Sequence, residues 1–144
     1  MTLPLFGKEP QKADPRKAEE LAPSAWLFPG LVLSQIDAVW DSMMDVIRAA
    51  PLRQMVTPSG LPMSVAMTSC GAVGWVSSRG GYRYSETDPQ TGLRWPVLSQ
   101  AFLDLAQTAA SRAGFDGFLP DSCLVNHYTE GTKLSLHQDK DERD

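Results

Sequence analysis

The chain has 144 residues, the length of one ordinary domain, and its 42% hydrophobic and 21% charged residues exclude wholesale disorder and fibrous architectures. Thirteen Lys and Arg against seventeen Asp and Glu leave a net charge of −4, so any attraction to a polyanion must be local. No apolar run reaches the roughly 18 residues of a membrane span and the first ten residues lack an apolar signal core, so the expected setting is the cytoplasm, without a membrane partner.

Residues 8–20 mix prolines with charges of both signs and hold no large apolar side chain, and residues 1–22 read as a disordered tail ahead of one domain over 23–144. Ser34 precedes an i, i+3, i+4, i+7 stripe of Ile36, Val39, Trp40, Met43, Met44 and Ile47, with Asp37 placed for a capping box, which predicts a helix ending before Pro51. Short β-like runs follow at Arg53 to Thr57, Pro62 to Ser69 and Trp75 to Ser85, separated by Pro58-Ser59-Gly60, Gly71 to Gly74 and Gly80-Gly81. A second helix is predicted from near Pro96, with Leu98, Phe102, Leu105 and Ala109 on one side and Gly114 ending it. Cys123 to Tyr128 and Thr132 to Gln138, joined across Glu130-Gly131, read as a β-hairpin. The only cysteines, Cys70 and Cys123, form no Cys-x-x-Cys and read as buried free thiols.

His137-Gln138-Asp139 places an imidazole and a carboxylate two residues apart, a spacing that puts both on one face of a strand. Alone the motif is weak, since this composition yields such a pair in about one chain in four by chance. An even-numbered hairpin loop strengthens it, because Asn126 and Tyr128 then share the face of His137 and Asp139, while Val125, Leu134 and Leu136 lie on the other. His-x-Asp plus one further ligand is the facial triad of a non-haem Fe(II) site. His127 falls on the opposite face by parity. Residues 46–85 carry Arg48, Arg53, Arg79 and Arg83 and no carboxylate, with Trp75, Tyr82 and Tyr84 interleaved. That mixture suits phosphates and stacked bases, and equally suits packing residues with a solvated cationic rim.

Arg53-Gln54-Met55-Val56-Thr57-Pro58, Met63 to Thr68, Cys70-Gly71, Gly74-Trp75, Tyr82-x-Tyr84-Ser85 and Asp88 to Thr91 together resemble the bacterial AlkB-type alkylated-DNA repair dioxygenases. So do Asn126-x-Tyr128 and Gly131-x-Lys133 to Glu142. The resemblance implies an α+β fold, with N-terminal helices and a nucleotide-recognition lid on a double-stranded β-helix (jelly-roll) core, truncated after the His-x-Asp strand. It implies Fe(II), 2-oxoglutarate and O2 as reactants, and oxidation of an N-alkyl group on a DNA or RNA base, of the 1-methyladenine or 3-methylcytosine type, with release of succinate, CO2 and formaldehyde. By position, His137 and Asp139 become the iron ligands and catalytic residues, and Asn126 and Tyr128 bind 2-oxoglutarate. Trp75 and Tyr82 grip a flipped base. Gln138, Lys140 and Asp141 line the substrate side, and Met67 and Thr57 match lid positions.

The family's second iron histidine and the two arginines that clamp 2-oxoglutarate are expected beyond Asp144. The chain alone is therefore expected to dissolve poorly and to release no formaldehyde. Single-stranded or flipped-base nucleic acid is the implied partner, and a monomer the expected state. The other readings are a 2-oxoglutarate oxygenase acting on protein or a small molecule, and a non-catalytic nucleic-acid-binding remnant.

Overall fold

The computed structural model describes residues 17–139 and the backbone of 142 and 143. Most of the expected tail, residues 1–16, and Lys140 and Asp141 lie outside the described residues. Within the expected tail, Glu19–Ala22 form β1, paired antiparallel with β2, Ala25–Leu27. A single 3-10 turn, Leu33–Gln35, leads into α1, Ile36–Ala49. The expected Ser34 cap is not used: Ser34 sits inside the 3-10 turn, and Gln35 occupies the cap position without a side-chain hydrogen bond. The predicted stripe of α1 is only partly covered, with Trp40 56% exposed, and the buried residue of the helix is Val46, outside that stripe.

Three strands form one antiparallel sheet in the order β3 (Arg53–Val56), β4 (Pro62–Gly71) and β7 (Ser122–His127). A second sheet holds the hairpin β5 (Gly74–Ser78) and β6 (Gly81–Ser85), joined through Arg79-Gly80, with β8 (Glu142–Arg143) parallel to β6. The second helix, α2, spans Gln100–Arg112 and starts four residues later than Pro96, because the Ser99 hydroxyl accepts the Phe102 N–H at 3.2 Å and fixes the first turn there. Gly114 follows its end at φ +93°, a left-handed geometry that glycine adopts without strain.

The expected hairpin between β7 and Thr132 to Gln138 does not form. Its turn closes, with the Thr132 N–H donating to the Thr129 carbonyl at 3.0 Å, but residues 132–139 then run irregularly. The partner of β7 is instead β4, in register from Ala66↔His127 to Gly71↔Ser122. Leu124 accordingly faces Ser69, not His137.

The interior rests on two clusters. Met55, Val65 and Met67 pack with Met63 and Trp75, and Ala50, Val76 and Trp95 pack together. The Thr68 hydroxyl donates to the Ala50 carbonyl at 2.6 Å, pinning the end of α1 to β4. Trp95 Nε1 donates to the Ser85 carbonyl at 2.8 Å, and its ring lies against Gly74, where a β-carbon would stand 2.3 Å from Trp95 Cε2. Gly74→Ala must displace that ring, and we expect a loss of about 1–3 kcal/mol in urea unfolding. An unchanged midpoint would show that Trp95 shifts freely.

Arg53 and Asp88 join the two sheets. The guanidinium donates twice to the carboxylate, at 2.8 and 2.7 Å, and lies 5.3 Å from the Trp95 ring centre. Asp88 is fully buried and also accepts the Gln90 N–H at 2.8 Å. Burial pushes its carboxyl up, but the Arg53 guanidinium, the Gln90 N–H and the Thr91 hydroxyl outweigh burial and hold it below its ordinary value.

Candidate functional site

Side chains alternate along β4, so Met63, Val65 and Met67 face one way while Thr68 faces the end of α1. The register Met67↔Asn126 brings Asn126 and Leu124 to the same side as Met67. Opposite them, Trp75 on β5 pairs with Tyr84 on β6 and stacks on Tyr82, with ring centres 5.5 Å apart and planes 19° from parallel. The irregular segment 133–139 closes the third side. Together these walls line an open cavity of about 770 Å³.

His137 and Asp139 meet at the wall formed by this segment, with His137 Nε2 3.2 Å from Asp139 Oδ1. His137 Nδ1 lies 2.7 Å from the Ser135 carbonyl, which can only accept, so Nδ1 carries a hydrogen and Nε2 is the nitrogen turned to the carboxylate. Two lone-pair atoms facing at that distance require a proton or a cation between them. Two donors bound side by side on one ion, each about 2.1 Å from it, sit about 3 Å apart, so the spacing suits a shared metal. An imidazole nitrogen with a carboxylate oxygen is also a donor set that Fe(II) accepts.

The structure therefore brings His137, Gln138, Asp139, Asn126, Trp75, Tyr82 and Met67 to one cavity, although the strand that was expected to carry three of them is absent. Two expected site residues stand apart. Tyr128 lies one residue beyond the end of β7, 47% exposed and outside the cavity lining. Thr57 belongs to the β3–β4 turn, where its hydroxyl bonds Ser59 at 2.8 Å and accepts the Leu61 N–H at 3.1 Å. Met63, Val65 and Leu124 form an apolar floor that the sequence reading left unassigned; the alternation of 63, 65 and 67 in phase with Met67 was the available signal. His127 pairs with Ala66, on the opposite parity from Asn126.

The cationic stretch is smaller than the sequence suggests. Arg48 pairs with Asp45 and Arg53 with Asp88, carboxylates just outside residues 46–85. Among the described residues Arg79 and Arg83 make no ion pair, and both sit at the β5–β6 hairpin, where Arg83 Nη1 donates to Ser78 Oγ at 3.1 Å.

Comparison with known proteins is consistent with this geometry. The sequence model of the 2OG-Fe(II) oxygenase superfamily matches residues 25–144. The chain belongs to that superfamily. It is 49% identical over 126 residues to the alpha-ketoglutarate-dependent dioxygenase AlkB of Escherichia coli K12, covering 88% of this chain and 58% of that protein. It is 45% identical over 142 residues to the Salmonella typhimurium protein of the same name, covering 99% of this chain and 63% of the relative. A Caulobacter vibrioides AlkB homolog is 41% identical over 125 residues, 86% of this chain and 55% of the homolog. The chain thus spans a little under two thirds of the length of these curated relatives. Among the described residues no helix of this oxygenase chain is long and apolar enough to cross a membrane.

Proposed function

We propose that this chain carries the nucleotide-recognition lid and part of the iron site of an AlkB-type oxidative dealkylase, acting on N-alkylated bases of single-stranded or flipped-base nucleic acid. One observation carries the reading: the Trp75–Tyr82 stack and the facing His137–Asp139 pair line the same cavity. In this reading β3, β5 and β6 contribute to the lid, and β4 and β7 belong to a double-stranded β-helix.

His137 Nε2 and Asp139 would hold Fe(II), with the Ser135 carbonyl keeping the hydrogen on Nδ1 so that Nε2 can bind it. Bound there with 2-oxoglutarate and O2, the metal would supply the oxidation of an N-alkyl carbon, with succinate, CO2 and formaldehyde as the co-products. The Asn126 amide would hydrogen-bond 2-oxoglutarate from the β7 wall. Trp75 and Tyr82 offer π-faces to the base and exclude water from it, and Met63, Val65 and Leu124 supply the apolar floor. Gln138 lies between the two proposed ligands, where it can read the polar edge of the base, and Lys140 and Asp141 are assigned to the same side by their place after the motif.

The test is a chimera in which this chain replaces the matching stretch of the Escherichia coli relative, assayed on oligonucleotides bearing 1-methyladenine or 3-methylcytosine. Formaldehyde released in step with succinate is the expected result. Succinate formation stimulated by a peptide or small molecule but not by the oligonucleotide would favour a different oxygenase. Oligonucleotide binding with no succinate would favour a binding remnant. By itself the 144-residue chain should release no formaldehyde, since among the described residues His137 and Asp139 are joined by no third converging ligand.

Trp75→Ala should weaken binding of a methylated single strand by about 1–3 kcal/mol, roughly 5- to 150-fold, in a fluorescence-anisotropy titration. An unchanged affinity would return Trp75 to a purely packing role.

A further inference from the structure

On the face of the β3-β4-β7 sheet opposite the cavity, Cys70 of β4 and Cys123 of β7 stand directly across from one another in register. Paired residues of antiparallel strands send their side chains to the same face, with α-carbons about 4.5–5.5 Å apart, inside the range of about 4.4–6.8 Å that a disulfide spans. The register thus sets the two thiols side by side, within the reach of a small adjustment to a disulfide. The two thiols differ in access. Cys70 is fully buried. Cys123 is partly buried and lines a second cavity of about 190 Å³ between α2 and the approach to β7, walled by Leu98, Phe102, Ala106, Phe118 and Pro120. A space several times the roughly 30 Å³ share of one water admits a small molecule, and its apolar walls favour a neutral one.

We propose that Cys123 and Cys70 form a peroxide-reactive dithiol, in which a small neutral hydroperoxide reaches Cys123 through this cavity and the pair closes to a cross-strand disulfide. Cys123 Sγ attacks the terminal oxygen of the hydroperoxide. The O–O bond breaks, the alcohol (or water) leaves with a proton, and Cys123 becomes a sulfenic acid. Cys70 Sγ then attacks Cys123 Sγ, the S–O bond breaks, and water departs with the Cys70 proton. Two thiols lose two electrons and two protons, and the hydroperoxide is reduced by two electrons. The division of roles follows access: the sulfur that lines the cavity meets the peroxide, and the fully buried sulfur across the ladder resolves it.

The test treats the 144-residue chain with a limiting amount of hydrogen peroxide or tert-butyl hydroperoxide and reads intact mass and non-reducing peptide maps. A loss of about 2 Da per chain and a peptide joining Cys70 to Cys123 are expected. In Cys70→Ala the Cys123 sulfenic acid should accumulate and be trapped by dimedone. In Cys123→Ala, Cys70 should be oxidised at least about tenfold more slowly than Cys123 is in the wild-type chain. Glutathione disulfide, charged and bulky, should close the bridge more slowly than either peroxide. The wild-type mass readout stands even where a variant misfolds. Oxygen uptake without a crosslink, a bridge between two chains, or equal oxidation of Cys70 in Cys123→Ala would overturn the proposal.

Discussion

Asp88→Ala is expected to lower the stability of the chain by about 3–5 kcal/mol at neutral pH, because it leaves the Arg53 guanidinium, 13% exposed, buried without its partner. The loss should exceed that of any surface substitution, since Asp88 also holds the Gln90 N–H and keeps Arg53 over the ring of Trp95. The pH dependence fixes the cause. The Asp88 carboxyl lies below its ordinary value in the folded chain, so its contribution is fully present above the unfolded carboxylate value of about 3.9 and is lost as pH falls through the folded value. The gap between wild type and Asp88→Ala in urea midpoint should therefore be widest near about pH 7 and narrow below about pH 4. A gap that is constant across that range would show that lost packing, and not the ion pair, sets the cost.

His137→Ala in the chimera is expected to reduce formaldehyde release at least about 100-fold, more than the 10–100-fold typical of losing a group that merely supports a ligand. Binding of the methylated oligonucleotide should stay unchanged, because Trp75 and Tyr82 reach the cavity from the β5–β6 hairpin and not from the segment that carries His137. Loss of binding and turnover together would mean that the imidazole shapes the cavity instead of holding the metal. Asn126→Ala should separate from both by raising the 2-oxoglutarate requirement. That effect is smaller, since one neutral hydrogen bond is worth about 0.5–1.5 kcal/mol.

The sequence made legible those parts of the fold that local chemistry decides. The glycines at 80 and 81 marked the break within Trp75 to Ser85, and the aromatics interleaved there, Trp75, Tyr82 and Tyr84, fall on one hairpin. Pairings between distant strands were not legible. Parity placed Asn126 and His137 on one side of a hairpin ladder, yet β7 spends its ladder on β4, more than fifty residues earlier, and the segment after Thr132 crosses the cavity without one. The site assembles all the same, because a two-residue period in β7 and a short irregular segment after a closed turn both direct these groups to the cavity. Charge sums failed for a related reason. Arg53 belongs to no cationic surface, because its partner Asp88 lies 35 residues away and beyond the window over which the charges were counted. The dithiol is equally non-local: Cys70 and Cys123 are far apart in the chain and become neighbours only through the β4–β7 register.

The central claim is that His137 and Asp139 hold a metal inside the cavity shared with Asn126 and the Trp75–Tyr82 stack. Mn(II), a paramagnetic stand-in for Fe(II), tests it most directly when titrated into a dilute, isotope-labelled sample of the 144-residue chain, with line broadening read residue by residue. The account predicts broadening confined at low Mn(II) to Ser135 through Asp139, Asn126 and the rings of Trp75 and Tyr82, and abolished by His137→Ala with Asp139→Ala. Broadening centred on the exposed carboxylates Glu19 and Glu20, or unchanged in the double variant, would contradict it.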